Sequence, residues 1–148
     1  MANKDAPFGL RPLRHRDGSP FNGAVNKCYI KGDYATALFI GDPVTRVAAG
    51  SNTTVVTTGT EVHEIGTLPT IEKASAGDAN AITGVIVGFE ADPELRTRIH
   101  NPASTERVAL VADNPDLVFE IQADGTVAAA DIGLNAVLIF TNAGTVAT

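Results

Sequence analysis

The sequence predicts an all-β fold, a small β-barrel or barrel-like sandwich with an extended N-terminal arm and at most one or two short helices. Composition is the first reason: Thr occurs 16 times and Val 14 times against 4 Ser, and β-branched side chains suit a pleated, half-buried surface. Punctuation is the second. Short apolar runs are separated by turn signals such as Gly41-Asp42-Pro43, Gly50-Ser51-Asn52, Asp92-Pro93, Asn114-Pro115 and Asp124-Gly125, at the spacing of a small barrel or sandwich.

The first element is the arm. "APFGLRPLRHRDGSPFNG", residues 6–23, contains three prolines, three glycines, three arginines and a histidine. Pro7, Pro12 and Pro20 each remove a backbone donor and bias the preceding residue towards extended geometry. Residues 1–23 read as an arm outside the domain, with apolar anchors Phe8, Leu10, Leu13 and Phe21 and with Arg11, Arg14 and Arg16 between them. Such an arm gains burial and arginine–carboxylate pairs when laid on another subunit, or it folds back over its own barrel. The expectation is the former. Phe8 and Phe21 fill apolar pockets of a neighbour, and the three arginines meet its acidic groups.

Residues 24–148 then read as one barrel-like domain. Its candidate strands are 26–30, 42–47, 53–58, 68–74, 81–90, 107–113, 117–122 and 135–140. Within 107–122, "RVALVAD" and "LVFEIQ" alternate around "DNPD", which predicts two antiparallel strands joined by a tight loop. Helix is scarce. "TVAAADIGL" (126–134) offers Thr126 as a cap and Gly133 as a stop for one or two turns, and 33–39 offers a single turn. Val85, Val87, Leu110, Phe119, Ile121 and Leu138 are the expected core.

Length and charge bound the function. A chain of 148 residues fits one domain. Cys28 is the single cysteine, so no internal disulfide exists, and it reads as a small buried residue of a reducing compartment. No apolar run approaches the roughly 18 residues of a membrane span, and no signal peptide is visible. Residues 1–16 carry +3 and the remainder −9. That acidic body repels nucleic acid, and four basic residues without aromatic platforms make no nucleic-acid interface. The expected partners therefore include neither nucleic acid nor membrane.

Candidate chemistry is thin. "EVHE" puts Glu61 and His63 on one face of a strand with Glu64 beside them, but two ligands on an edge do not make a metal site. Asp92 with Glu94 and Asp113 with Asp116 sit beside prolines, where acids serve turns. There is no GxSxG, no HExxH and no phosphate loop. No enzyme, no cofactor and no metal are expected. A carbohydrate- or receptor-binding β-module is the alternative, although such a module normally shows stacking aromatics, and this chain has no Trp and only Tyr29 and Tyr34.

Four stretches, in order, carry a resemblance: "MANKDAPFGLRPLRHRDGSPFNG", "YATALFIGDPV", "GVIVGFEADP" and "NPASTERVALVADNPDLVFEIQADG…AAADIGLNA". Together they resemble the capsid decoration, or cement, proteins of tailed bacteriophages over essentially the whole chain, most specifically at 101–135. The resemblance implies a structural virion protein, made in the host cytoplasm, that binds the outer surface of an icosahedral head. Its implied partners are the major capsid protein and itself, as a homotrimer that reinforces capsomer junctions. Members of that family continue past "GLNA" with further strands, which implies either a short member or a C-terminally incomplete chain.

Overall fold

The structure is a computed structural model that describes residues 8–59, 61–75 and 81–139. It is nearly all β. Nine strands occur among these residues: β1 (Arg11–His15), β2 (Asn26–Ile30), β3 (Pro43–Ser51), β4 (Val56–Thr58), β5 (Glu61–His63), β6 (Pro69–Lys73), β7 (Gly84–Phe89), β8 (Arg107–Ala112) and β9 (Leu117–Glu120). Five close into a barrel in the order β2-β6-β3-β7-β8. Two small ribbons, β1-β9 and β4-β5, lie outside it.

Period-two alternation builds the core. Along β2, Cys28 and Ile30 point into the barrel, where they meet Leu38, Val44, Ile71, Ile86, Ala109 and Val111. Tyr29 points the other way and packs with Val56, Leu68 and Val108 beneath the β4-β5 ribbon. The β2–β8 register, running from Asn26↔Val111 to Ile30↔Arg107, keeps both faces matched. Closure leaves the barrel without a free edge.

The turn at 114–116 forms as its sequence indicates: the Asp116 N–H donates to Asn114 Oδ1 at 2.9 Å. The strands it joins nevertheless do not pair, which corrects the expected hairpin. β8 has β2 on one side and β7 on the other, so both its edges are taken. β9 crosses instead to β1, antiparallel, with Arg11↔Glu120 and His15↔Leu117. The prolines did not keep 11–15 out of a strand, because a two-stranded ribbon with a bulge between Pro12 and Arg14 tolerates a missing donor.

Three further expectations are corrected. Residues 126–134 hold only a 3-10 turn at Ala129–Asp131; three alanines favour a turn there, but no apolar stripe packs against the barrel to hold a helix. Residues 135–139 form no strand, and the rest of that expected strand lies outside the described residues. Of the expected core, Val85 is buried, Val87, Leu110, Phe119 and Leu138 are half-buried, and Ile121 is 48% exposed because it has already left the ribbon.

Candidate functional site

Residues 8–21 lie outside the barrel but are docked on it by their own chain. Leu10 N–H donates to Gly41 O at 2.9 Å. The approach needs glycine on both sides: a Cβ on Gly9 would stand 2.7 Å from Gly41 O, and one on Gly41 would stand 2.7 Å from Phe8 O. Beyond this contact β1 pairs with β9, and the chain turns back so that His15 N–H reaches Ser19 O and Phe21 N–H reaches Leu13 O. Within one molecule these residues thus form a ribbon with β9.

The seven expected contact residues divide accordingly. Arg11 meets an acidic group of its own chain, Glu120, and its guanidinium stands 5.2 Å over the Phe8 ring. Leu10 and Phe21 are half-buried. Phe8 (42%) and Leu13 (47%) keep much of their surface in water. Arg14 and Arg16 are exposed and make no ion pair with any described residue.

A second exposed apolar region is not singled out by the sequence. Residues 123–137 are all exposed, including Ile132 (82%), Leu134 (70%) and Val137 (84%). Their hydrogen bonds are local: Ala128 N–H donates to Asp131 Oδ2 at 2.8 Å and Leu134 N–H to Asp131 O at 3.1 Å. The signal was present in the chain, since no Lys or Arg follows Arg107 and the aliphatic residues of 127–139 are spaced by Ala, Gly and Asn. The sequence pattern there instead predicts a short helix and a last barrel strand.

One polar cluster joins a ribbon to the barrel. Lys27 Nζ of β2 lies 2.5 Å from Glu61 Oε2 of β5 and 2.6 Å from Glu90 Oε1, just past β7. Glu90 Oε2 lies 2.9 Å from His63 Nε2 and accepts from the Thr58 hydroxyl. Glu90 therefore takes the third place that the "EVHE" pattern offered to Glu64. Burial pushes the Glu90 carboxyl up, but hydrogen bonds, chiefly from Lys27 and Thr58, outweigh this and hold it down at about 2. The Lys27 ammonium is raised, first by Glu61 and then by Glu90. Ligand atoms of Glu61, His63 and Glu90 lie within 4.8 Å of one another, a donor set suited to a divalent cation. The Lys27 ammonium already stands between the two carboxylates and fills that role. A cleft of about 360 Å³ opens beside the cluster, lined by Thr58, Glu61, Glu90, Asp92, Pro93 and Arg96 among others.

Set against known proteins, the chain matches no protein-family model, no curated protein and no solved structure.

Proposed function

We propose that this is a structural virion protein that binds the outer surface of an icosahedral phage head, as trimers, and cements the junctions between capsomers through the major capsid protein. The observation that carries the reading is where the unburied aliphatic residues lie. The barrel is closed around a filled core, while Leu13 on the β1-β9 ribbon, Phe8 just before it and Ile132, Leu134 and Val137 beyond it face outward. Apolar surface displayed on segments outside a rigid barrel serves adhesion to protein better than it serves a small molecule, which needs a concave site. Many copies on one shell add their weak contacts. The Lys27–Glu90 cluster is, in this reading, a latch for the β4-β5 ribbon, its charges answering one another. The sequence resemblance to capsid decoration proteins points the same way.

The experiment is decoration itself. Purified protein is mixed with undecorated heads and imaged by electron cryo-microscopy. Added density grouped about threefold and quasi-threefold positions is expected. Bare shells, or isolated monomers away from those positions, overturn the reading.

A further inference from the structure

The ribbon register sets the direction in which the C-terminal segment departs. β9 runs from Leu117, opposite His15, to Glu120, opposite Arg11. The chain therefore leaves the ribbon at its Arg11 end, heading away from Arg14 and Arg16. Two surfaces of matching character are left facing outward on one molecule. One is the ribbon patch, with Leu13 and Phe8 as apolar points and Arg14 and Arg16 as cations that pair with no described carboxylate. The other is the segment 121–139, aliphatic at Val127, Ile132 and Leu134, with Asp124 and Asp131 as its charged residues.

We infer that the segment 121–139 of one copy lies across the β1-β9 ribbon of a second copy, its aliphatic residues on Leu13 and Phe8 and its aspartates toward Arg14 and Arg16. Charge complementarity favours this occupant: the charged residues of the segment, Asp124 and Asp131, are both acidic, and Arg14 and Arg16 stand on or beside the ribbon without an ion pair among the described residues. Reach allows it, since the 19 residues of the segment, at about 3.3 Å each when extended, pass well beyond the ~13 Å radius of gyration of a domain this size. Each copy gives one segment and receives one, so the contact closes as a reciprocal pair about a two-fold axis or, head-to-tail, as a larger ring where the rotation permits. This deepens the shell-binding reading by naming what joins copy to copy, and it rests on that reading only for the number of copies.

The test uses the full chain in solution, without heads. Sedimentation and light scattering at about 100 µM protein compare the wild type with Ile132→Asp/Leu134→Asp and with Arg14→Glu/Arg16→Glu. All these positions are exposed, and circular dichroism melts verify an unchanged fold. The wild type is expected to self-associate, and each double variant to do so at least tenfold more weakly. Adding Asp124→Arg/Asp131→Arg to the arginine variant is expected to restore association. A Leu13→Cys/Leu134→Cys variant is expected to form disulfides between copies, which neither single variant forms. Cys28 stays silent there because it is buried, with its thiol pushed up to about 11. A monomeric wild type overturns the inference, as does association indifferent to either double variant or a charge swap that fails to restore it. Loss of shell decoration by Ile132→Asp/Leu134→Asp from a protein already monomeric assigns the segment to the shell instead. Self-association by this route without decoration leaves the inference standing and removes the shell-binding reading.

Discussion

Residues 8–21 and residues 123–137 both lie outside the barrel and both hold apolar side chains in water, yet the first is hydrogen-bonded to Gly41 and Asp116 while the second bonds locally, between Ala128 and Leu134. The first is rich in proline and arginine, the second in aliphatic and small residues. By propensity the second is the better strand. β1 finds the edge of β9, and the Gly9–Gly41 contact seats the chain just before it. The closed barrel offers residues 135–139 no edge, and neither two-stranded ribbon takes them as a third strand. Strand propensity does not by itself secure a partner.

The comparison breaks most visibly between barrel and segment. Ile86→Ala in the core, at a fully buried position, is expected to cost about 2–5 kcal/mol, read as a fall in the urea midpoint. Ile132→Ala on the segment is expected to move the midpoint by no more than about 0.5 kcal/mol. Equal losses would mean that the segment is part of the domain's core.

Next comes the latch. Glu90→Gln removes the carboxylate that Lys27, Thr58 and His63 share, for an expected cost of about 1–3 kcal/mol at pH 7. The sign with pH follows from a folded value held below the usual carboxylate range. The contribution is complete above the unfolded carboxylate value, about 4.3, and is lost as pH falls towards about 2. Urea midpoints between pH 6 and pH 2.5 should converge for the wild type and Glu90→Gln.

A more local effect is expected at the arm contact. Gly41→Ala puts a Cβ 2.7 Å from Phe8 O at a residue with φ of +93°. At about 1–3 kcal/mol of strain, it should release residues 8–15, so that hydrogen exchange speeds up at the amides of β1 while those of β2 and β8 keep their protection. Protection lost throughout would show that the ribbon and barrel open as one unit. The smallest change expected is Arg11→Gln. Its exposed pair with Glu120 is worth about 0.2–1 kcal/mol, less at high salt.

Much of the barrel was legible in the sequence. The runs at 26–30, 42–47, 68–74, 81–90 and 107–113 are its five strands, because alternation and turn residues are local properties. Pairing is not local. Nothing in "RVALVADNPDLVFEIQ" reveals that both edges of β8 are already occupied, so the tight loop looked like a hairpin. β5, three residues with glutamate at one end, was too short for its alternation to show. His63 and Glu61 were noted as a strand pair, but Glu90, which makes them a cluster, arrives from 27 residues beyond His63. The prolines of the arm speak against a central strand and leave a ribbon edge open, and β1 lies in a two-stranded ribbon outside the barrel.

The closing register carries a consequence for synthesis. β2 cannot complete its pairing until β8 exists, because Ile30 is matched to Arg107 and Asn26 to Val111. At about 5–20 residues per second on the ribosome, the nascent β2 waits on the order of 4–15 seconds with Cys28 and Ile30 uncovered. Such long-range closure also folds slowly once the strands are present. During that interval the chain is open to chaperones and to mispairing with other nascent chains. The exposed aliphatic residues from Ile121 onward are translated only after the last barrel strand, so each molecule can finish its interior before its C-terminal apolar surface is made.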